Sequence, residues 1–452
     1  MTTPALAPVT GRARIDVLDI LRGIAILGIF FMNIPYMGQN SILVQENIRA
    51  IGWTLADRWT WAVIEVLAEG TQRGLLEMLF GAGMMVLTTK AMLPDGPVAI
   101  ADLYYRRNLW LLAFGLFDVF CLLWVGDILH IYALAALFLF PFRKLAAHWL
   151  VVIGMSFALA TVAMGAGEYL DRTAMIAKVE RAQARQHAGQ PLSVPDRETL
   201  KTWQTKLESI RGNDAQKKAA QEEDAARRPG ASFIAYASLM WSEWFGLQGK
   251  GFTVAFVIEA FCAMLIGVAL WKWQIMQGGR STAFYLGMML LSYGIGTTIR
   301  VIGVTEIFAF APIPKTIWMT EEFGRLAMTL GHIALVNLAV KTAIGTAILA
   351  PFKAAGRMAF SLYFMQQFLA LYVLFAPFGL GLYGRFGWAE LSAIAAAIVI
   401  GQLIFANIYM RVFVAGPLEW LWRSLAYVRW QPLLRRRGDL PVTIQEHAPI
   451  VA

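Results

Sequence analysis

The chain has 452 residues, of which 58% are hydrophobic and 15% are charged, and its mean hydropathy is +0.56. Soluble domains carry about 25% charged residues, so the composition excludes an ordinary soluble domain and indicates a polytopic membrane protein. The net charge of +9 is not a nucleic-acid signal by itself, because basic residues in a membrane protein mainly set its orientation.

Hydropathy along the chain predicts an all-α bundle of about ten transmembrane helices. These spans are expected at 17–36, 73–91, 107–126, 128–142, 148–169, 252–271, 282–303, 324–346, 357–377 and 388–410. An even number of spans puts both termini on one side of the membrane. Lys and Arg are concentrated in the short segments on that side, including Arg12, Arg14 and Lys90, which predicts that both termini are cytoplasmic.

The spans divide the chain into regions of different composition. We predict an N-terminal membrane region at 1–169 with an interfacial amphipathic helix near 55–70, a polar outer-side insert at 170–232, a C-terminal membrane region at 233–412 and a basic cytoplasmic tail at 413–452. Pro191 and Pro195 are expected to split the insert into two solvated helices. The tryptophans and arginines of the tail suit an anionic inner leaflet rather than nucleic acid.

Several ionisable residues fall inside predicted spans, where a charge costs about 2.5–3.5 kcal/mol at the centre of a helix. Asp19 and Arg22 lie in the inner third of the first span, and their spacing puts them on one helix face. Asp118 falls in the middle of the third span. Such residues usually face a partner or a cavity, so we expect a function that uses the membrane interior.

The outer halves of other spans also carry polar groups, namely Glu77 beside Arg73, Asp127, His130, Glu259, Arg300 and His332. Their similar depth predicts one cavity that opens outward, and scattered contacts between helices are the alternative. His130 with Asp127 is the best candidate for a general base, because a carboxylate can fix the imidazole tautomer. A structural hydrogen bond is the alternative role for each histidine. The five histidines are scattered, and the two cysteines, Cys121 and Cys262, lie in apolar spans, so no metal site is predicted.

Five motifs resemble those of the bacterial YeiB-like membrane proteins, the domain-of-unknown-function 418 family. They are LDILRGIAILGIFFMNI (Leu18 to Ile34), MLFGAGMM (Met78 to Met85), GDILHIYAL (Gly126 to Leu134), GRMAFSLYFMQQ (Gly356 to Gln367) and GPLEWLWRSLAY (Gly416 to Tyr427). The resemblance implies a multi-pass protein of the bacterial cytoplasmic (inner) membrane. It does not imply a biochemical activity.

The first of these motifs is also similar, more distantly, to the transmembrane acyltransferase superfamily. Those proteins move an acyl group from a cytoplasmic thioester to an acceptor on the far side of the membrane. The O-acyltransferases have a catalytic histidine where this chain has Asn33, as the heparan-acetyltransferase branch does. In the third span, Asp118 stands where YeiB-like proteins usually have a histidine. His130 or His332 would therefore have to supply the base.

The resemblance to the acyltransferases implies an integral-membrane acyltransferase that takes acyl-CoA or a similar thioester and a cell-envelope acceptor. Arg22, oriented by Asp19, would meet the anionic head of the donor. Two other functions stay open: a transporter or exporter of a small solute or lipid, with Glu77, Glu259, Arg300 and His332 on a proton-linked pathway, and a non-catalytic membrane scaffold. No cofactor is implied, and the sequence does not determine the oligomeric state.

Overall fold

The computed structural model of the chain describes residues 16–88, 99–211 and 213–435. Arg12, Arg14 and Lys90, which contribute to the predicted orientation, lie outside the described residues, as does the end of the basic tail from residue 436. Within the described ranges the chain is all-helical, and the β contact found is an isolated bridge between Phe413 and Leu434.

The N-terminal half begins with the helices α1 (Asp16–Gly28), α2 (Phe30–Gly38), α3 (Ser41–Glu46), α4 (Leu55–Leu67), α5 (Thr71–Thr88), α6 (Ala99–Phe120), α7 (Leu129–Leu139), α8 (Ala147–Gly154) and α9 (Ser156–His187). The remaining helices are α10 (Val194–Arg211), α11 (Asp214–Arg227), α12 (Phe233–Gly249), α13 (Phe252–Lys272), α14 (Thr282–Phe308), α15 (Ile317–Ala339), α16 (Ala343–Arg357), α17 (Ala359–Gln367), α18 (Trp388–Val412) and α19 (Pro417–Tyr427). A π-helical segment, Phe368–Leu374, continues α17.

Five described stretches are long and apolar enough to cross a bilayer, fewer than the ten spans predicted. They are Asp16–Gly38, Ala147–His187, Phe252–Lys272, Thr282–Phe308 and Trp388–Val412, and α15 with α16 makes a sixth, bent by 118°, if the pair is one span. The predicted spans 73–91 and 107–126 correspond to α5 and α6, which are not among these stretches. Composition explains the difference, because both helices carry charged side chains. α7 is short, with 11 residues, and cannot cross alone.

The Asp19–Arg22 end of the first span is fixed by a close helix crossing. A Cβ atom on Gly23 would come 2.1 Å from the carbonyl oxygen of Phe352, and one on Gly356 would come 1.7 Å from that of Asp19. Only glycines allow the backbones of α1 and α16 to approach this closely. The crossing holds the charged motif of α1 against α16.

The polar insert differs from the two solvated helices that the sequence predicts. α9 runs without a break from an apolar stretch into the insert, and α10 and α11 follow it. α11 is docked against the outer end of the first span rather than solvated, because Glu223 and Arg227 are buried and paired at 2.9 Å. Arg227 donates to the carbonyl oxygens of Tyr36, Met37 and Gln39. These contacts satisfy carbonyl groups that the end of α2 leaves without helical partners.

The tail helix α19 is packed into the bundle as well as lying at its inner end. Glu419 accepts hydrogen bonds from the backbone N–H groups of Phe360 and Ser361, at 2.6 and 3.2 Å, and therefore caps α17. The indole of Trp422 donates to the carbonyl oxygen of Arg107 at 2.8 Å. The GPLEWLWR motif therefore fixes the start of α17, which carries part of the candidate site.

Candidate functional site

His130 and Asp127 form a buried dyad at the start of α7. The Nδ1 atom of His130 lies 2.8 Å from Oδ2 of Asp127, and both side chains are almost fully buried. Asp127 also accepts the backbone N–H groups of Leu129 and His130, at 3.0 and 2.9 Å, so the first turn of α7 holds the carboxylate. This arrangement keeps a proton on Nδ1 and leaves Nε2 as the basic nitrogen.

Side chains from α6 and α17 surround the dyad. The hydroxyl of Tyr363 donates to Oδ1 of Asp127 at 3.3 Å, and Nε2 of Gln367 donates to Oδ2 of Asp118 at 2.8 Å. Asp118 is fully buried, and its carboxyl group lies close enough to that of Asp127 to interact with it. The position at which YeiB-like proteins usually have a histidine is therefore beside His130.

Several buried polar atoms around the dyad have no hydrogen-bond partner among the described residues. Among them are Nε2 of His130, Nε1 of Trp244, Oε1 of Gln367 and Oδ1 of Asp118. The Trp244 ring, from α12, is 6.3 Å from the imidazole between centroids. Buried polar groups are normally satisfied, so unsatisfied atoms in one cluster suggest that it accommodates a polar ligand. The open valences include one base, one indole donor, and the oxygens of an amide and of a carboxyl group.

A second cluster is built around Arg325 of α15. Its guanidinium makes a two-bond ion pair with Glu322 at 2.7 Å and contacts Glu77 at 2.8 Å and Glu259 at 3.1 Å. Arg73 pairs with Glu259 at 2.7 Å. The cluster joins α5, α13 and α15 through charge-assisted hydrogen bonds, which are the stronger kind in a buried setting.

Arg300 extends this cluster toward the outer helix α4. Its Nη2 atom donates to the carbonyl oxygen of Glu69 at 2.9 Å, and its Nη1 atom is 3.7 Å from Oε1 of Glu65. Burial and the neighbouring charge of Glu69 raise the pKa of Glu65, which lies on the interfacial helix, to about 8. Glu65 and Glu69 thus connect the buried ion pairs with the outer surface.

α7 separates the two clusters. His130 faces α6 and α17, whereas Tyr132, two residues later, turns the other way and donates to the carbonyl oxygen of Arg73 at 3.2 Å. The single cavity predicted from the sequence is therefore divided between two clusters. Glu77, Glu259, Arg73 and Arg300 belong to the one around Arg325, which we call the arginine–glutamate cluster. His130, Asp127 and Asp118 belong to the other, the His130 cluster.

His332 has local contacts within the α14–α15 hairpin. Its Nδ1 atom bonds to the carbonyl oxygen of Met328 at 2.8 Å, and its ring packs on Tyr293 with 5.7 Å between centroids. These contacts fit the structural alternative that the sequence left open. They give His332 no carboxylate partner like that of His130.

Asn33 lies in α2 beside an outer cavity of about 530 Å³. Its neighbours Met32 and Tyr36 line this cavity, and Asn33 is not among the described lining residues. The cavity is bounded mainly by α2, α3, α4 and the segment between α14 and α15. Its polar wall includes Glu65 and Glu69, so it adjoins the arginine–glutamate cluster rather than the His130 cluster.

Arg22 pairs with the buried Asp19 at 2.9 Å, and its own side chain is 33% exposed, at the end of the bundle that the sequence predicts to face the cytoplasm. α17 carries polar contacts outward from this level. Gln366 donates to the carbonyl oxygen of Ile26, at 3.1 Å, and to Gln402, at 3.0 Å, and the next residue, Gln367, reaches Asp118. A series of buried amides therefore lies between the Arg22 end and the His130 cluster.

The sequence analysis did not select Arg325, Glu322, Tyr363, Gln367 or Trp244 as site residues. Arg325 and Glu322 fall near the outer end of a predicted span, where charged residues normally report topology. Tyr363 and Gln367 stand in the GRMAFSLYFMQQ motif, which was the available signal for them. Among the described residues, no group of three or more His, Cys, Asp and Glu has an arrangement that could hold a metal ion.

Comparison with known proteins finds a family model that matches part of the chain and relatives that align with most of it. The model of DUF418, described as a protein of unknown function, matches residues 251–429. YxaH of Bacillus subtilis is 28% identical across 96% of this chain and 99% of its own length. YeiB of Escherichia coli is 24% identical across 90% of this chain and 95% of its own length. The part of the chain from residue 251 to 429 is therefore similar to the DUF418 family.

The matched DUF418 region contains Arg300, Arg325 and Gln367, whereas Asp127 and His130 precede it. The alignments with YxaH and YeiB extend over nearly the whole chain, and both of those proteins are named as uncharacterized. No solved structure matches the chain. A function must therefore be argued from the chemistry of the site.

Proposed function

We propose that this protein is an integral-membrane acyltransferase with His130 as its general base. The observation that carries the proposal is the buried His130–Asp127 dyad whose Nε2 atom has no partner. A base with a fixed tautomer and an open lone pair is what proton removal from an acceptor requires.

The other open valences suit an acyl group at the same place. The acceptor hydroxyl or amine gives its proton to Nε2 of His130 as its oxygen or nitrogen attacks the thioester carbonyl carbon. The carbon–sulfur bond then breaks, and the thiolate leaves and takes up the proton. The Trp244 indole, a donor without a partner, is suited to the carbonyl oxygen as negative charge develops on it. Gln367 offers an acceptor to the incoming group.

The donor is proposed to bind at the inner end of the bundle. Arg22 is oriented by Asp19 and partly exposed, and a guanidinium binds phosphate through two hydrogen bonds. Acyl-CoA, whose head group is anionic, fits this chemistry. The pantetheine arm of the donor would extend along α17 and bring the thioester carbonyl to the His130 cluster, and an acceptor of the cell envelope would enter from outside.

This direction of transfer depends on the number of membrane crossings and on the side of the termini, which we also propose. Ten membrane-crossing segments with both termini in the cytoplasm place Arg22 inside and His130 in the outer half of the membrane. The bacterial inner membrane is the matching location. Single cysteines at Ser41 and Arg429 of a cysteine-free variant test the orientation. A membrane-impermeant maleimide should label the first, but not the second, in intact cells.

The activity is tested with the purified protein in proteoliposomes. Acyl-CoAs of different chain lengths are titrated by calorimetry, and transfer or hydrolysis is followed from radiolabelled acetyl-CoA. We expect His130→Gln to bind donor but to lose acyl transfer. His148→Gln is the matched control, because His148 is exposed. The proposal fails if the wild-type protein neither binds nor transfers nor hydrolyses any of these donors.

Transport is the second candidate, and the arginine–glutamate cluster is the observation that favours it. The five carboxylates Glu65, Glu69, Glu77, Glu259 and Glu322 lie around only three guanidiniums, an excess that protons or a cation would balance. Proton-driven flux in proteoliposomes that persists in an Asp127→Asn/His130→Gln double variant would favour transport over acyl transfer.

A further inference from the structure

The outer cavity is separate from the His130 cluster and has its own chemistry. Its volume of about 530 Å³ is in the range of small-molecule sites and is far larger than a single ion needs. Aromatic rings of Phe31, Trp61, Phe310 and Trp388 form much of its wall. The cavity is therefore suited to an organic molecule.

The charged groups of the wall are predominantly acidic. Four carboxylates, Glu46, Glu65, Glu69 and Glu321, line the cavity with two cations, Arg49 and Lys315. The Arg49 guanidinium already lies over the Phe310 ring, 4.1 Å from its centroid. The carboxylates thus outnumber the cations, and aromatic faces add to the attraction for positive charge.

Glu65 and Glu69 differ from the three glutamates around Arg325 because they have no hydrogen bond to a cation among the described residues. Glu77, Glu259 and Glu322 are held by Arg325 and Arg73, as described above. Among the described residues, no hydrogen bond links the side-chain oxygens of Glu65 or Glu69 to a cation, and the Arg300 guanidinium stops 3.7 Å short of Glu65.

Arg300 behind these glutamates is itself incomplete. It is 2% exposed, and its Nε and Nη1 atoms have no hydrogen-bond partner in the described part of the chain. A buried guanidinium with open donors requires an acceptor. A cation in the cavity would keep Glu65 ionised. The ionised carboxylate of Glu65 would then be the acceptor, because it has only to move closer to Nη1, which is 3.7 Å away.

We propose that the outer cavity is a ligand site for an organic cation, a primary amine on an apolar or aromatic body, with the ammonium group between Glu65 and Glu69. The apolar body packs on Trp61 and Phe310. The site is distinct from the acyl-transfer site and does not depend on it, so His130→Gln leaves amine binding unchanged.

Binding is expected to tighten as pH rises from 6 to 9. The groups that face Glu65 are Glu69 in the turn after α4, Arg300 of α14 and Glu321 of α15, and the cavity is also lined by Tyr36, Glu46, Arg49 and Lys315. Because burial and Glu69 raise the pKa of Glu65 to about 8, part of the site is protonated near neutral pH. An alkylamine stays charged throughout this range, with a pKa near that of lysine, about 10.4.

The test uses the full-length protein in nanodiscs and 4-phenylbutylamine as the probe in calorimetric titrations. We expect saturable binding that weakens at least tenfold in Glu65→Gln and in Glu69→Gln. Glu168→Gln, at an exposed site on α9, is the matched control and should bind as the wild type does. Size-exclusion profiles identify variants that fail to fold. Where a glutamine variant fails to fold, the charge-retaining variant Glu65→Asp or Glu69→Asp is measured instead, and it should still bind the amine.

Two uncharged or oppositely charged analogues decide the ligand class. 4-Phenylbutanol and 4-phenylbutyrate should bind at least tenfold more weakly than the amine. Equal binding of the alcohol would mean that the cavity recognises only the apolar body and would overturn the proposal. Tighter binding of the carboxylate, or no saturable amine binding up to millimolar concentration at pH 9, would also overturn it. None of these results depends on acyl transfer.

Discussion

The clusters on the two sides of α7 differ in how completely their polar groups are satisfied. Around Arg325, the side chains of Glu77, Glu259 and Glu322 all receive charge-assisted hydrogen bonds or ion pairs. Around His130, an imidazole nitrogen, an indole and an amide oxygen are left open in a buried space. The saturated part around Arg325 stabilises helix packing, whereas the open groups around His130, like those at the Arg300 end of the arginine–glutamate cluster, are prepared for a ligand.

The same comparison explains why depth in the membrane is a poor guide to function. Glu77 and His130 fall at similar predicted depths, yet one is engaged by Arg325 and the other keeps a free basic nitrogen. The face of the helix on which a residue stands decides its partners. Polar residues in spans therefore need to be sorted by their contacts before any of them is given a role.

The largest expected effect is on folding, from Arg325→Ala. The change leaves three buried carboxylates without their shared partner, and breaking a buried ion pair costs about 3–5 kcal/mol. We expect loss of monodisperse protein or a much lower unfolding temperature, measured by size exclusion and thermal unfolding. Arg385→Ala, at an exposed position, should have little effect. Equal tolerance of the two changes would mean that the arginine–glutamate cluster does not stabilise the fold.

The next effect separates the two histidines. His130→Gln should lower acyl transfer by about 10²–10⁴-fold, the usual contribution of a general base, while the protein stays folded. His332→Gln should keep the activity, because His332 bonds to a backbone carbonyl of its own helix. Initial rates with labelled acetyl-CoA measure both. An equal loss from the two variants would contradict the division of the polar residues into two clusters.

A smaller effect is expected at the inner end of the bundle. Arg22→Ala should raise the KM for acyl-CoA about tenfold and change kcat less, because we propose that Arg22 contacts the donor head and not the reacting atoms. Arg22→Lys should recover part of the affinity. A well-folded Arg22→Ala protein with weakened donor binding argues against a scaffold role. Loss of folding with no change in donor affinity per folded molecule would instead support the scaffold alternative.

The smallest effect is on the pH dependence of stability. The folded protein raises the pKa of Glu65 from 4.5 to about 8. Between these two pH values, Glu65 therefore keeps a proton in the folded protein that it has lost in the unfolded chain. Stability from this group is thus complete below about pH 4.5 and is lost as pH rises through about 8. Glu65→Gln, which removes the titration, should flatten the decline of the unfolding temperature between pH 5 and 9. An unchanged pH profile would show that Glu65 ionises normally.

The structural class, the family motifs and the short-range residue pairs follow from the sequence alone. Composition and hydropathy predict the all-helical membrane class, and the motifs predict the DUF418 family. Short-range pairs such as Asp127 with His130 and Asp19 with Arg22 also follow from sequence, because residues three apart share a helix face. Local geometry determines these contacts whatever the rest of the chain does.

Tertiary structure decided the long-range grouping. Arg73 meets Glu259 across 186 positions, and Gln367 meets Asp118 across 249, and no hydropathy pattern predicts either pair. Docking of Glu223 and Arg227 of α11 likewise changed a polar insert from a solvated appendage into part of the fold. The physical reason is that period and composition determine which residues form a helix and how polar it is. Close packing of all the helices determines how each one is rotated, and therefore which polar groups meet.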